Sequence, residues 1–196
     1  MTSFINNYPD IILASASPRR AELLDQLGVN YIVQAVDIDE SSHTNETPEA
    51  LVQRLAIEKS QAITEDQSNN KPVLGSDTLG VLNGELLVKP KDFDHAHDML
   101  SKMSGNWHEI LSAVALSYKG ETIVCLNKNK VLFRQLTFTE IEAYWKTGEP
   151  QDKAGAYAVQ GLAAKFIKRI EGSYSGIMGL PLFETADLLE KIKTRS

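Results

Sequence analysis

Short aliphatic runs alternate with helically spaced apolar positions along the chain. Such alternation is typical of strands that are joined by helices. Residues 11–14 predict a buried strand, and Ser17 and Pro18 open a helix that Gly28 ends. The remaining pattern predicts strands at 31–36, 72–76, 107–118, 121–133 and 164–170, helices at 48–63 and 94–103, a short helix capped by Thr139, and a last helix that ends near Lys193.

A hairpin and two long strands add an antiparallel part to this pattern. Asn83-Gly84 is a strong signal for a type I′ turn between residues 81–82 and 85–88. The two long strands join at Lys119-Gly120, and their length suggests a curled antiparallel region. The chain contains no internal repeat or low-complexity tract. We therefore expect an α/β fold with a mixed, curved sheet and flanking helices, in a single domain over residues 1–196.

The composition limits the classes of function. The chain has 42% hydrophobic residues, 23% charged residues and a net charge of −6, which is ordinary for a globular domain. An acidic chain does not fit a nucleic-acid-coating surface, so a basic cluster in it indicates a small anionic ligand. Cys125 is the single cysteine and fits a reducing compartment. The sequence lacks a signal peptide and any apolar run of about 20 residues, so we expect a cytoplasmic protein without a membrane segment.

The first turn of the first predicted helix carries an unusual pair of charges. Arg19 and Arg20 lie at the positive end of the helix dipole, where acidic residues are favoured. Together with the hydroxyl groups of Ser15 and Ser17 and the N–H groups of the turn, they would form a phosphate cradle. The alternative is that both arginines point into water or pair with nearby acids. This stretch alone leaves the two readings equally open.

Three further charged residues follow in chain order. Lys59 falls in the apolar stripe of the second helix, where it either reaches an edge to pair with an acid or directs a cation at a phosphate. Asp77 follows an apolar strand, a place where open α/β sheets carry their chemistry, although an aspartate there also often caps a turn. Lys89 precedes Pro90, which holds it in an extended conformation.

Residues that could hold a metal ion are few. Glu40 lies in an acidic loop beyond a predicted strand, where it is either solvated or an oxygen ligand of a divalent cation. His95 and His97 are two residues apart on a predicted helix and do not face each other. Cations around a carboxylate suit polyphosphate hydrolysis. The residues alone thus predict a metal-assisted hydrolase or a binder of a small phosphorylated compound.

The motifs resemble, in order, those of the Maf family, nucleoside triphosphate pyrophosphatases that were once described as septum-formation inhibitors. The resemblance covers nearly the whole chain, and although each motif is weak, their ordered set is specific. The motifs are Ser15-Ala16-Ser17-Pro18-Arg19-Arg20, Val36-Asp37-Ile38-Asp39-Glu40, Arg54-Leu55-Ala56 with Glu58-Lys59, Gly75-Ser76-Asp77-Thr78, Lys89-Pro90, Met99-Leu100 with Ser104-Gly105, Lys153-Ala154-Gly155, Val159-Gln160-Gly161 and Gly179-Leu180-Pro181-Leu182.

This resemblance implies a fold of the Maf and inosine-triphosphatase-like type, with two lobes around a cleft. It implies cleavage of a nucleoside triphosphate to the monophosphate and pyrophosphate with Mg²⁺ or Mn²⁺. Asp77 is then the proton acceptor and, with Glu40, a metal ligand. Lys59 and Lys89 join it as catalytic residues, and the phosphate-binding residues are Ser15, Arg19 and Arg20.

The resemblance also implies a subclass. Arg19, Thr78 and Gln160 match members that prefer dTTP and UTP, whereas members that prefer 7-methyl-GTP carry Trp, Gln and Glu at these places. Threonine and glutamine can both donate to and accept from the polar edge of a pyrimidine. Three departures from the family pattern, at the hairpin and the nucleobase loop, are Gly80, Val88 and Ala163.

Two other classes of function compete with the enzyme. One is a nucleotide-binding regulator of septation or cell shape without turnover, as the older family description suggests. The intact Asp77, Lys59 and Lys89 favour the enzyme, because a pure binder does not need a carboxylate that activates water. The other is a nucleic-acid-binding module, which the acidic balance disfavours. Family members often form homodimers, but no stretch of the sequence stands out as an interface.

Overall fold

The computed structural model describes residues 8–68 and 70–193. The described strands are β1 (Ile11–Leu13), β2 (Tyr31–Val33), β3 (Val73–Leu82), β4 (Glu85–Leu87), β5 (Trp107–Tyr118), β6 (Glu121–Phe133) and β7 (Ile167–Glu171). The helices are α1 (Pro18–Leu27), α2 (Pro48–Gln61), α3 (Glu65–Ser68), α4 (Phe93–Met103), α5 (Phe138–Trp145), α6 (Tyr174–Met178) and α7 (Leu182–Lys193). Three short 3₁₀ turns cover Glu149–Asp152, Ala154–Ala156 and Leu162–Phe166.

The strands form one mixed sheet in the order β2-β1-β3-β5-β6-β7, with β4 paired to β3. Strand β1 runs parallel to β2 and β3, whereas the β3–β4 and β6–β7 pairs are antiparallel. The predicted α/β class with a mixed sheet is therefore confirmed. No helix within the described ranges is long and apolar enough to cross a bilayer.

The described residues divide into two compact units. Unit 1 contains residues 8–78, 112–127 and 179–193, and unit 2 contains residues 79–111 and 128–178. One apolar cluster of unit 1 comprises Ile12, Ala14, Ile63 and Val73. The core of unit 2 is larger and includes Leu100, Met103, Val131, Phe133, Ile141, Tyr144, Val159 and Phe166.

A glycine brings strand β3 close to helix α2 inside unit 1. A Cβ atom built on Gly75 would lie 2.3 Å from the Ala56 carbonyl oxygen and 2.5 Å from the Ser60 amide nitrogen. Both neighbours are backbone atoms, so no side-chain movement would relieve the overlap. The backbones of β3 and α2 approach this closely because residue 75 has no side chain.

Asp77 and Thr78 lie within a strand and not beyond its end as the sequence analysis expected. Strand β3 runs without a break from Val73 to Leu82. The polar segment at 75–78 interrupts the hydrophobic pattern, which is why the sequence suggested a strand end there. Ser76 is accommodated inside the sheet because its hydroxyl lies within hydrogen-bond reach of the Ala113 and Gly179 carbonyl oxygens, at 2.8 Å and 3.0 Å.

Other boundaries also differ from the prediction. Helix α5 is capped by Thr137, and not by Thr139, because Thr137 and Glu140 form a capping box that was not recognised. Residues 162–166 form a 3₁₀ turn before β7, where the sequence suggested that the strand had already begun. Strand β2 ends at Val33, three residues earlier than predicted.

The core of unit 2 holds a buried histidine. His108 is 2% exposed, and its Nε2 atom lies 2.7 Å from the hydroxyl of Tyr157. The rings of Phe133 and Tyr157 pack edge-to-face against its imidazole. Burial lowers the pKa of His108 from 6.5 to about 4, because the charged imidazolium would lose its hydration.

This histidine predicts that the protein loses stability in mild acid. The unfolded chain binds a proton at His108 near pH 6.5, whereas the folded protein does so only near pH 4, so the free energy of unfolding falls as the pH drops through that window. The lowered pKa corresponds to about 3 kcal/mol across the full window. Urea unfolding at pH 7, 6 and 5 measures the loss.

Substitution of His108 separates this effect from other titrations. We expect His108→Gln to flatten the slope between pH 7 and 5, and the exposed His43→Gln to leave it unchanged. Hydrogen bonds from Arg54 and Arg134 lower the pKa values of Glu46 and Glu140 to about 2. These carboxylates therefore affect stability at pH values below the range in which His108 does. An unchanged slope in His108→Gln would contradict the assignment.

Candidate active site

Ser15 and Arg20 form a small polar cluster at the junction of β1 and α1 in unit 1. The Arg20 guanidinium donates from Nη1 to the Ser15 hydroxyl oxygen at 3.1 Å and from Nε to the Gly179 carbonyl oxygen at 2.9 Å. The Ser17 amide donates to the same Ser15 oxygen at 3.2 Å. These contacts use two of the five N–H groups of the guanidinium. The side chain is thus fixed in direction while donors remain for an anion.

The start of α1 has the features that bind anions. Ser17 has the extended backbone of an N-cap, but its side chain makes no capping hydrogen bond, and the first turn contains no acidic residue. The positive end of the helix dipole is therefore not neutralised from within the helix. Burial lowers the pKa of the Arg20 guanidinium below its ordinary value, and the charge of Asp77 partly opposes this change. Arg20 nevertheless remains a cation at neutral pH because an arginine titrates far above it.

Arg19 carries a polar atom that has no hydrogen-bond partner in the described part of the chain. Its Nε atom is buried and forms no hydrogen bond to any described residue. A buried N–H group without a partner costs free energy, so such a group commonly marks a place where a ligand or an ordered water binds. The two arginines thus have different surroundings, since Arg20 is held by Ser15 and Gly179 and the Nε of Arg19 is held by neither.

Lys59 joins two carboxylates in unit 1. Its Nζ atom lies 2.6 Å from Glu40 Oε1 and 2.7 Å from Asp77 Oδ1. The residues Lys59 and Asp77 are 8% and 6% exposed, whereas the Glu40 side chain is 62% exposed. Asp77 Oδ2 is buried and has no hydrogen-bond partner among the described residues. The carboxylate of Asp77 therefore has one oxygen paired with a cation and one that is available for a water or a metal ion.

The loop that carries Glu40 is attached to helix α2 by Arg54. The Arg54 guanidinium donates to the Ser41 carbonyl oxygen at 2.8 Å and to the Glu46 carboxylate at 2.7 Å and 2.9 Å. Because Arg54 and Lys59 lie on the same helix, one element holds both the loop and the lysine that binds Glu40. Within the Arg54-Leu55-Ala56 motif, Arg54 thus fixes this loop to helix α2.

Thr78 belongs to the same unit and shares an acceptor with Arg20. Its hydroxyl lies 3.0 Å from the Ser112 hydroxyl and 3.5 Å from the Gly179 carbonyl oxygen. That carbonyl also accepts from Arg20 and is within hydrogen-bond reach of Ser76. The polar side chains of Arg20, Ser76 and Thr78 therefore converge on it. Gly179 has a φ of 126°, a conformation that residues with a side chain rarely adopt.

Lys89 and Gln160 belong to unit 2, and both are exposed. Lys89 follows β4, and the carbonyl of the preceding Val88 accepts a hydrogen bond from Gly155 at 3.0 Å. Gln160 follows the buried Val159, and its side chain forms no hydrogen bond to another described residue. Among the predicted site residues of unit 1, Arg20 contacts Ser15 and shares the Gly179 carbonyl with Thr78, and Lys59 contacts Glu40 and Asp77. The charges of Arg19, Glu40 and Asp77 all act on Arg20.

Two contributors to this cluster were missed in the sequence. The Gly179 carbonyl is one, although Gly179-Leu180-Pro181-Leu182 was recognised as a motif, because a backbone acceptor leaves no chemical mark on the residue. Ser112 is the other, since a serine in a long predicted strand gives no reason to expect a polar partner. In the described part of the chain, no three His, Cys, Asp or Glu side chains gather into a metal-binding group.

The fold and the cluster define a mixed α/β protein in which Lys59 contacts the buried carboxylate of Asp77 and the charge of that carboxylate acts on Arg20. A protein-family model described as Maf-like protein matches residues 10–192. The chain therefore belongs to the Maf family.

Relatives named dTTP/UTP pyrophosphatase are similar to this chain over almost their whole length. The dTTP/UTP pyrophosphatase of Pseudoalteromonas atlantica is 48% identical over 185 residues, which cover 93% of this chain and 96% of that protein. The dTTP/UTP pyrophosphatase of Alkalilimnicola ehrlichii is 50% identical over 190 residues, with 94% of each chain covered. The solved structure of the Staphylococcus aureus Ham1 protein is 19% identical, with a TM-score of 0.47, and covers 80% of this chain and 90% of that one.

Proposed function

We propose that this chain hydrolyses dTTP and UTP to the nucleoside monophosphate and pyrophosphate. The observation that carries the proposal is the Lys59–Asp77 pair, a buried carboxylate with one oxygen on a lysine and the other without a partner among the described residues. The names of relatives that are 48% and 50% identical support the same reaction. In this reaction water attacks the α-phosphorus, and the bond from that phosphorus to the oxygen bridging it to the β-phosphorus breaks.

The basic groups of unit 1 bind the triphosphate in this proposal. Ser15, Arg20 and the first turn of α1 supply hydrogen-bond donors that are already fixed in direction. Arg19 supplies an Nε–H group that has no partner within residues 8–68 and 70–193. Because Arg19, Arg20 and Lys59 outnumber Glu40 and Asp77, the cluster carries one net positive charge, which favours a polyanion.

Asp77 is the proton acceptor for the attacking water. Its Oδ2 atom is the available oxygen, and Lys59 holds the carboxylate through Oδ1 so that Oδ2 keeps a fixed direction. A general base must lie within hydrogen-bond reach of the water that it deprotonates, and a buried, oriented carboxylate meets that need. Lys59 also stabilises the negative charge that develops on the phosphates.

The carboxylates fit the divalent metal ion that the family resemblance implies. Mg²⁺ prefers one or two carboxylates together with water and substrate phosphates, and Glu40 and Asp77 provide this oxygen set. The buried, unpartnered Oδ2 of Asp77 is the observation in favour of such an ion. When bound, Mg²⁺ or Mn²⁺ would withdraw electron density from the phosphate oxygens as a Lewis acid.

The base is recognised by Arg19, Thr78 and Gln160 in this proposal. The Thr78 hydroxyl is oriented by Ser112 and Gly179, and the exposed side chain of Gln160 keeps its donor and its acceptor for a ligand.

Lys89 binds phosphate, an assignment that rests on the Lys89-Pro90 motif and not on a contact in the structure. A homodimer remains a prediction, which light scattering on the purified chain tests.

A panel of triphosphates with Mg²⁺ tests the reaction and the subclass together. We expect pyrophosphate, and not orthophosphate, from dTTP and UTP, with little turnover of dCTP or 7-methyl-GTP. Omission of the metal should abolish turnover. Turnover of other bases alone would refute the roles of Arg19, Thr78 and Gln160 and retain the reaction, whereas orthophosphate as the first product would refute the reaction.

A further inference from the structure

One carboxylate of unit 2 holds the segment that follows Gln160. Glu149 lies in the 3₁₀ turn after α5 and accepts three hydrogen bonds. The Leu162 amide donates to Oε2 at 2.7 Å, the Ala163 amide donates to Oε1 at 3.2 Å, and the Tyr144 hydroxyl donates to Oε1 at 2.7 Å. The amides open the 3₁₀ turn that begins at Leu162, so the carboxylate satisfies N–H groups that the turn itself leaves unpaired.

The tyrosine keeps the carboxylate in place. Tyr144 is 2% exposed, and burial together with its hydrogen bond to Glu149 raises the pKa of its hydroxyl. The hydroxyl therefore stays protonated and remains a donor over the working range of pH. Hydrogen bonds to an ionised acceptor are stronger than those between neutral groups, so the three donors fix both oxygens.

Gly161 provides the space that this arrangement needs. A Cβ atom at residue 161 would lie 2.4–2.5 Å from the carboxylate atoms of Glu149. The φ of Gly161 is −98°, which residues with a side chain adopt without strain. The absence of a side chain at 161 is therefore required by the carboxylate and not by the backbone.

We propose that Glu149 is a positioning residue that sets base selectivity by fixing the backbone on both sides of Gln160. This inference rests on the proposed function, in which Gln160 contacts the base. Val159 anchors the segment before Gln160 in the core of unit 2, and Glu149 anchors the segment after it. Between the two anchors, the side chain of Gln160 is presented from a backbone with little freedom, which is the condition for strong discrimination by one amide.

Glu149→Gln is the main variant, because it keeps the shape and removes one acceptor. An amide nitrogen would then face either the Leu162 amide, or the Ala163 amide and the Tyr144 hydroxyl, so one backbone N–H group loses its acceptor in each orientation. We expect the preference for dTTP over dCTP, measured as the ratio of kcat/KM values, to fall about tenfold, with KM for dTTP changing more than kcat. Glu142→Gln on α5, an exposed acid paired with Lys146, is the matched control and should leave the preference unchanged.

Two double-mutant cycles separate positioning from a general loss of stability. Gly161→Ala should lower the preference in the native background and add nothing to Glu149→Ala, because the carboxylate that the methyl group displaces is then absent. Glu149→Gln should likewise add nothing to Gln160→Ala. Additive effects in either cycle would overturn the proposal, as would an unchanged preference in Glu149→Gln.

Hydrogen exchange distinguishes failure of this inference from failure of the proposed function. The Leu162 and Ala163 amides should exchange slowly in the native protein and faster in Glu149→Gln, whatever the protein hydrolyses. If the native protein shows no preference for dTTP or UTP, the proposed function fails. If the preference is present, and Glu149→Gln speeds exchange but leaves that preference intact, Glu149 is a structural residue only.

Discussion

Asp77→Asn is expected to lower kcat for dTTP hydrolysis by about 10³-fold while the triphosphate still binds. The asparagine retains the shape of the side chain and can accept from Lys59 through its amide oxygen, but it no longer takes a proton from water. Ser15 and Arg20, the proposed phosphate-binding residues, are held by hydrogen bonds that do not involve Asp77, so binding of the triphosphate should persist. The loss should therefore appear in kcat and much less in KM.

Single-turnover kinetics and equilibrium binding of dTTP measure the two parts of this expectation. Asp98→Asn, on the exposed face of α4, removes a carboxylate that pairs with Lys102 and should leave kcat unchanged. A folded Asp77→Asn protein that keeps more than about a tenth of the native kcat would show that another group accepts the proton. Loss of binding together with kcat would show that the contribution of Asp77 to holding the metal ion and the substrate outweighs its role as proton acceptor.

Lys59→Met should lower both activity and stability. The substitution removes the cation between Glu40 and Asp77 and leaves the buried carboxylate of Asp77 without its partner. Breaking a buried pair in this way costs about 3–5 kcal/mol. We expect the smaller value, because Glu40, the second acid that Lys59 contacts, is exposed. We expect a fall in kcat of about 10²-fold or more, because the lysine also stabilises phosphate charge.

The double variant Lys59→Met/Asp77→Asn tests the origin of the stability loss. With a neutral residue at both positions no buried charge is left unpaired, so urea unfolding should show that part of the lost free energy returns. Lys71→Met is the matched control, because the ion pair of Lys71 with the exposed Asp10 is long, at 3.7 Å. A double variant as unstable as the sum of the single variants would show that the pair does not couple.

The candidate site residues that could be recognised in the sequence are those whose type is unfavourable for their local structure. Arg19 and Arg20 stand where a helix favours acids, and Lys59 lies in an apolar stripe, so each asked for an explanation. The structure places all three in unit 1 and pairs Lys59 with Glu40 and Asp77. The long strands at 107–118 and 121–133 were equally evident, because their hydrophobic pattern is continuous.

Features that depend on contacts distant in sequence could not be predicted. Strand β3 continues through Asp77 because Ser76 finds carbonyl acceptors at Ala113 and Gly179, and neither is visible from the local pattern. The role of Glu149 leaves no mark in the sequence, since its partners at 162 and 163 are backbone amides. Backbone donors and acceptors have no sequence signature, and in this site they set the direction of several side chains.

The contact of Gly75 with helix α2 has a consequence for how the protein can change in evolution. Lys59 projects from α2 and Asp77 from β3, so the spacing between these two elements sets the distance between lysine and carboxylate. A larger residue at 75 would separate the elements unless the helix backbone at Ala56 and Ser60 shifted as well. We therefore expect residue 75 to remain glycine among natural variants, because no change of side chain at 56 or 60 would relieve a contact with their backbone atoms, and a substitution at 75 to be selected against as strongly as a change in the site itself.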